Sequence, residues 1–118
     1  MRGKDLLGSH GEDAAARYLV GLGFEILDRN WSCAEGELDI VARDGGVLVV
    51  CEVKTRSGLG FGAPVEAVTV AKARRLRRLA ALWLAAHPAG YSDIRFDVVG
   101  VVAIPGENTR IEHLRAVC

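Results

Sequence analysis

The fold is decided by residues 36–56, which read GELDIVARDGGVLVVCEVKTR. Two apolar runs flank an Asp-Gly-Gly turn signal, a pattern that predicts two antiparallel strands joined as a hairpin. Charged residues interrupt both runs: Glu37 and Asp39 in the first, Glu52 and Lys54 in the second. Ionised groups among apolar residues cost free energy unless they are paired, hydrogen-bonded or bound to a cation. The stretch therefore predicts a site for a metal ion and a phosphate group.

The geometry of this site depends on the register of the hairpin. Side chains two positions apart share a face of a strand, so Glu37 lies with Asp39 and Glu52 lies with Lys54. If residues 44–47 form the connection, Asp39 faces Glu52 and Glu37 faces Lys54. A two-residue turn that starts at the aspartate sets Glu37 opposite Glu52 instead, with Asp39 on the diagonal. Both registers bring the carboxylates together, whereas a three-residue loop without a bulge separates them. The opposite, apolar face comprises Leu38, Ile40, Ala42, Val49, Cys51 and Val53.

Length and composition predict one domain spanning residues 1–118, large enough to bury about two-thirds of the surface that the unfolded chain exposes. The cysteines Cys33, Cys51 and Cys118 form no C-x-x-C pair, which argues against a disulfide framework or a zinc site. Residues 1–5 lack an apolar signal core, and no apolar run reaches membrane-spanning length. We therefore expect a soluble cytoplasmic protein with no membrane partner.

Charge is distributed unevenly along the chain although the formal net charge is zero. A neutral chain is not expected to coat nucleic acid by bulk electrostatics, because domains that do so carry a clear basic excess. Between positions 53 and 80, however, seven basic residues stand against one acid, Glu66, so a basic surface beside an acidic pocket is expected. The basic residues are Lys54, Arg56, Lys72, Arg74, Arg75, Arg77 and Arg78.

The order of elements predicts an α/β domain with a mixed five-stranded sheet flanked by helices. Glu12 lies three, four and seven positions before apolar residues of the first helix, so it should point toward the surface on which that helix packs. Thr69 is the expected cap of the second helix. The predicted elements are a helix over 4–22, a strand over 24–30, the hairpin, a glycine-rich loop over 57–62, a helix over about 69–86, and strands over 94–104 and 110–117.

Two further polar residues receive structural predictions. Asp97 lies between Phe96 and Val98 within a strand, and we expect it to pair with Arg95 or another buried base. His113 adjoins no cysteine at metal-binding spacing, so a capping or surface role is expected.

Taken together, these motifs resemble the YraN family of uncharacterised bacterial proteins, which is similar to the PD-(D/E)xK, or restriction-endonuclease-like, nuclease superfamily. In that superfamily the positions matching Asp39 and Glu52 hold a divalent ion, the lysine matching Lys54 assists hydrolysis, and an acid such as Glu12 supplements the site. Archaeal Holliday junction resolvases share the helix-one acid, which implies branched DNA as one substrate. The similarity rests on Gly11-Glu12, Arg29-Asn30, Gly36-Glu37-x-Asp39, Glu52-Val53-Lys54-x-Arg56 and Arg95-Phe96-Asp97.

The chemistry expected of the hairpin is that of a magnesium or manganese site, because these ions prefer oxygen ligands. Asp39 and Glu52 are the predicted ligands, with the Val53 carbonyl as a third oxygen. Lys54 would orient or deprotonate the attacking water, and a lysine near carboxylates is better suited to orienting it. Glu37 and Glu12 are weaker candidates for further ligands. The alternative is a set of salt bridges on a solvated sheet face, which is the commoner role of an E-x-K strand.

Phosphate contacts are predicted for Arg56 beside the hairpin and for the basic residues of the second helix, because an arginine fork matches phosphate oxygens. The alternative for the helix is a solvated face with no partner. The residues predicted to contact nucleic acid are Arg56, Lys72, Arg74, Arg75 and Arg78.

These observations favour a metal-dependent nuclease that hydrolyses DNA, with structured, branched or single-strand-containing DNA more plausible than a sequence-specific duplex site. Two alternatives stay open. In the first, the chain is a non-catalytic nucleic-acid-binding module on a nuclease scaffold. In the second, it is a protein-interaction domain whose charges form a structural network. A homodimer, or a partner protein in DNA processing, is compatible with each of them.

Overall fold

The computed structural model describes residues 6–57, 68–103 and 109–118. Within these ranges two helices cover the two faces of a five-stranded sheet, which confirms the predicted α-β-β-β-α-β-β order. The predicted glycine-rich loop lies, apart from Ser57, outside the described residues. The elements are α1 (Leu6–Gly21), β1 (Glu25–Cys33), β2 (Gly36–Asp44), β3 (Val47–Ser57), α2 (Val70–Ala86), β4 (Asp93–Ala103) and β5 (Arg110–Leu114).

The sheet is mixed, with its strands in sequence order. The pairs β1–β2, β2–β3 and β4–β5 are antiparallel, whereas β3 and β4 are parallel and are connected through α2. A parallel pair needs such a crossover, because its strands begin at the same edge of the sheet. No helix in the described ranges combines the length and apolar character needed to cross a membrane.

The hairpin register is the one in which Arg43 faces Leu48. The turn consists of Gly45 and Gly46, since Asp44 pairs with Val47, and Gly45 has a φ of 60° that favours glycine. The predicted alternative with Glu37 opposite Glu52 is therefore wrong. Continued by one residue, the observed register places Asp39 beside Glu52.

Each face of the sheet carries its own core. Ile40, Val49 and Cys51 pack with residues of α1 on one face, as the alternation of the hairpin predicts. Leu38 is the exception, because it packs in the other core with Leu79 of α2. β2 pairs with β3 only as far as Ile40, but it stays paired with β1 as far as Gly36. The first residues of β2 therefore follow β1, and their side chains no longer alternate between the two faces in step with those of β3.

Two strand ends differ from the prediction. β1 continues to Cys33 instead of ending near residue 30, because it remains paired with β2 as far as Gly36. β5 ends at Leu114, and the chain then turns at Ala116, whose φ is 54°. The N–H of Val117 donates to the carbonyl of Phe96, so the last residues return to β4.

A buried polar network joins β4, β5 and α1. The Asp97 carboxylate accepts two hydrogen bonds from Arg95, at 2.9 and 3.0 Å, and one from the backbone N–H of Ala116 at 3.0 Å. Nε2 of His113 lies 2.7 Å from the same carboxylate, and its Nδ1 lies 3.0 Å from the hydroxyl of Tyr18. The predicted pairing of Asp97 with Arg95 is confirmed. The surface role predicted for His113 is wrong, because its side chain is 5% exposed.

Helix α1 lies very close to β3 at Gly11. An ideal Cβ built on Gly11 would lie 2.0 Å from Oγ1 and 2.9 Å from Cβ of Thr55, and strand backbone leaves the threonine little room to move. We expect Gly11→Ala to destabilise the protein by about 1–3 kcal/mol, because this overlap outweighs the gain in helix propensity of about 1 kcal/mol. Gly21→Ala is the matched control, since nothing lies within 4 Å of its Cβ position. Urea unfolding of both variants measures the difference, and equal stabilities would contradict the close approach.

Candidate metal and phosphate site

The site begins where β2 and β3 part. Their ladder ends at the Ile40–Cys51 pair. Beyond it, the N–H of Val53 donates to Oδ2 of Asp39 at 2.9 Å, so a side-chain carboxylate takes the place of a strand carbonyl. The N–H of Val53 is partly buried and has lost its strand partner, so it needs another acceptor, and this requirement holds Asp39 in the gap between the strands.

A cavity of about 300 Å³ opens at this gap, between the hairpin and α2. Three acids of the hairpin, Glu37, Asp39 and Glu52, contribute to its wall, and Arg75 contributes from α2. The remaining lining residues are Gly36, Leu38, Cys51 and Leu76. The structure thus brings together carboxylates from both strands of the hairpin and a basic side chain from the helix.

Lys72 of α2 reaches into the same region. Its Nζ lies 2.7 Å from Oε2 of Glu52, and the two side chains are 24% and 14% exposed. Thr69 caps the helix as predicted, and its side-chain oxygen accepts a hydrogen bond from the N–H of Lys72 at 3.1 Å. Lys72 was expected among the nucleic-acid contacts, but nothing in the sequence indicated its contact with Glu52.

The two lysines of the site are neighbours. Burial acts to lower the pKa of Lys72, but the adjacent carboxylate of Glu52 outweighs burial, so the pKa is raised above the usual value. Lys54 itself is exposed at the end of β3. Glu52, Lys54 and Lys72 therefore form one charged group at the edge of the cavity.

The other predicted site residues are distributed over α1, β3 and α2. Glu12 is 2% exposed and belongs to α1, which packs on the opposite face of the sheet from α2. Arg56 is half-buried on β3. Arg74 and Arg78 are exposed on α2, and Arg78 forms a two-point ion pair with Glu35. Glu12 was predicted to point inward and does so, but the described lining of the cavity does not include it.

The donor atoms suit a hard divalent ion that keeps several waters. In the described ranges, no three His, Cys, Asp or Glu side chains form a cluster that could hold a metal ion, so the hairpin acids share a cavity without forming a closed cage. Magnesium commonly takes only one or two protein carboxylates and fills its other positions with water and substrate oxygens. Oε2 of Glu52 is buried and lies 2.7 Å from Nζ of Lys72, so this carboxylate already has a positive charge beside it. The carboxylates of Asp39 and Glu52, which both line the cavity, match the one or two that magnesium takes from a protein.

These features define an α/β protein with a mixed sheet and an acidic site where a hairpin opens. The chain belongs to the family described as Uncharacterised protein family UPF0102, whose model matches residues 11–101. This confirms the resemblance to the YraN family found in the sequence.

Relatives match over nearly their whole length. A UPF0102 protein of Frankia alni is 60% identical over 115 residues, which cover 98% of this chain and 96% of the relative. A UPF0102 protein of Beutenbergia cavernae is 56% identical over 117 residues, or 99% of each chain. Among solved structures, Hjc of Archaeoglobus fulgidus, described as a Holliday junction resolvase from an archaeal hyperthermophile, is 20% identical, with a TM-score of 0.49. The aligned region covers 85% of this chain and 70% of the Hjc chain.

Proposed function

We propose that this chain is a divalent-metal-dependent nuclease that hydrolyses phosphodiester bonds in structured or branched DNA. The observation that carries the proposal is the cavity at the parting of β2 and β3. Asp39, Glu52 and Arg75 line it, Lys72 pairs with Glu52 beside it, and Lys54 is a neighbour of Lys72. Metal-assisted phosphodiester hydrolysis requires carboxylates that hold a cation and positively charged side chains that hold a phosphate.

Asp39, Glu52 and the Val53 carbonyl are the proposed ligands of magnesium or manganese. When bound, such an ion lowers the pKa of a water molecule and stabilises negative charge that develops on the phosphate. The hydrogen bond from Val53 to Asp39 orients that carboxylate before any ion arrives. Pre-orientation of this kind limits the rearrangement that binding requires. Glu37, which is exposed on the cavity wall, and Glu12 stay candidates for a supplementary role.

Lys54 is the proposed catalytic residue that orients the attacking water and offsets the charge on the phosphate. It lies beyond Glu52 on β3, close to Lys72, where it retains solvent access. A protonated lysine in this position donates hydrogen bonds to a water or a phosphate oxygen and cannot accept one. Positioning and electrostatic stabilisation are therefore its proposed contributions.

Arg74, Arg75 and Arg78 of α2 and Arg56 of β3 are the proposed contacts to the DNA backbone. Arg75 lines the cavity and Arg74 is exposed on the same helix, so both can reach phosphates on either side of the scissile bond. The ion pair of Arg78 with Glu35 is exposed and therefore weak, which leaves that guanidinium free to exchange partners. Phosphate contacts carry no base information, so selectivity would come from the shape of the DNA.

The proposal is tested by incubating the protein with four-way, flapped, duplex and single-stranded DNA in magnesium, manganese or chelator. We expect cleavage only with a divalent ion and preferentially on branched substrates. The Lys54→Met variant should cleave about 10²–10³-fold more slowly, the usual loss for removing an electrostatic contributor. Arg110→Met, which removes an exposed charge on β5, is the matched control and should cleave at the unaltered rate.

Each alternative function makes a different prediction in this assay. Binding of DNA without cleavage under any condition would indicate a nucleic-acid-binding module on a nuclease scaffold. Absence of both binding and cleavage would indicate a protein-interaction domain. Either result would overturn the proposed hydrolysis.

A further inference from the structure

Lys72 occupies the position beside Glu52 that a bound cation would take. Its Nζ lies 2.7 Å from Oε2, a distance at which an ammonium group satisfies most of the demand of a carboxylate for positive charge. We propose that Lys72 competes with the divalent ion for Glu52 and thereby sets the metal affinity of the site. This inference rests on the proposed function, because it concerns the same carboxylate.

The position of Lys72 is determined by α2 and not by chance contact of a long side chain. Its backbone N–H is held by the Thr69 cap, which places the residue in the first turn of the helix. One turn later, Leu76 is 5% exposed in the core between α2 and the sheet. A cap on one side and a packed residue on the other orient Lys72 toward β3.

Burial makes the competition strong. The side chains of Lys72 and Glu52 are 24% and 14% exposed, so water and salt screen this pair less than they screen an exposed pair. Like charges at one carboxylate repel each other, which means that the ammonium and a divalent ion cannot both bind Glu52 at full strength. Uptake of the ion and formation of the Lys72–Glu52 pair are therefore opposed.

The arrangement also gives Lys72 a role after the ion has bound. Arg75 and Leu76, three and four residues further along α2, line the cavity, so the Lys72 ammonium remains beside the same space when it leaves Glu52. A phosphate there supplies the negative charge that Lys72 has lost. Lys72 is thus a positioning residue that neutralises Glu52 while no ion is bound. Once the ion has displaced it, its ammonium group is available to a phosphate of the substrate.

Calorimetric titration of manganese chloride into the protein without DNA tests the inference through binding alone. Removal of the competitor in Lys72→Met is expected to lower the Kd for manganese by about tenfold. Lys72→Arg, which keeps the charge, should bind manganese as the wild type does. Arg77→Met is the matched control, because it removes a cation from an exposed position of the same helix, and it should change the Kd by less than about twofold.

Thermal unfolding supplies a second measurement, because Lys72→Met leaves Glu52 short of positive charge. Saturating manganese should raise the Tm of Lys72→Met more than that of the wild type. Equal affinities and equal Tm shifts in the two proteins would overturn the competition while leaving the metal site intact. Absence of manganese uptake by both would overturn the competition and the proposed metal site together. Uptake without cleavage of any DNA would overturn only the proposed hydrolysis.

Discussion

Glu52→Gln is expected to lower the rate of DNA cleavage by at least about a thousandfold, since it removes a charged ligand of the proposed divalent ion. Glutamine keeps the size of the side chain, so the cavity and its packing should remain. Its amide oxygen is a weaker ligand, and the loss of negative charge also removes the ion pair with Lys72. Cleavage of a labelled four-way DNA under single-turnover conditions measures the effect.

Binding of DNA should persist in Glu52→Gln, because the substitution removes negative charge from the proposed DNA-binding surface. This separates loss of chemistry from loss of fold. Glu112→Gln is the matched control, since Glu112 is exposed on β5 and the same atom is exchanged. Cleavage at an undiminished rate in Glu52→Gln would contradict the assignment of Glu52 as a ligand.

Asp97→Asn is expected to lower the free energy of unfolding by about 3 kcal/mol, the usual loss when one member of a buried ion pair is removed. The Asp97 side chain is fully buried and holds Arg95 by two hydrogen bonds, so an amide in its place leaves the guanidinium with only the longer contact to Asp44, at 3.5 Å. The Asp97 carboxylate also accepts a hydrogen bond from the backbone N–H of Ala116, and His113 links it to the hydroxyl of Tyr18 in α1. Loss of the carboxylate should therefore loosen β5 and the residues after it first.

The stability contributed by Asp97 should disappear in acid. Burial acts to raise its pKa, but hydrogen bonds from Arg95, Ala116 and His113 outweigh burial, so the folded pKa lies below the ordinary value. A group with a lowered folded pKa contributes its full stability above the unfolded pKa and loses it as the pH falls through the folded pKa. The wild type should thus lose stability relative to Asp97→Asn as the pH falls below about 4.

Urea unfolding at pH 7, 5, 4 and 3 measures both effects. Asp93→Asn is the matched control, because Asp93 is exposed at the start of β4, where its carboxylate accepts a hydrogen bond from the adjacent N–H of Ile94. Its stability should remain within about 0.5 kcal/mol of the wild type, as is usual for a surface substitution. A constant difference between wild type and Asp97→Asn across this pH range would contradict the lowered pKa.

Local pattern was sufficient to predict the elements and their order. Apolar alternation predicted β2 and β3, and Thr69 marked the start of α2, because both signals act between residues close in the chain. The order then limited the sheet to few arrangements, since the connection between β3 and β4 contains a helix. The pairing of Asp97 with Arg95 was predictable for the same reason, as the two residues lie on one face of one strand.

Register was only partly predictable from the sequence. Both registers considered for the hairpin place charged residues on one face, and the Asp-Gly-Gly segment accommodates a turn at either pair of positions. In the structure, the glycine pair forms the turn and Asp44 remains in the strand. Leu38 was assigned to the wrong face because alternation along one strand carries no information about where its neighbour leaves the ladder.

By itself, the sequence determined that Glu52 and Lys54 share a strand and that the chain forms an α/β fold. Only the tertiary structure decided that Lys72 contacts Glu52 and that His113 is buried against Asp97. The first contact depends on the placement of α2, where Leu79 packs against the sheet and Nε1 of Trp83 donates to Asp28 at 3.0 Å. Contacts of this kind join residues far apart in the chain, so their geometry follows from packing and leaves no periodic signal in the sequence.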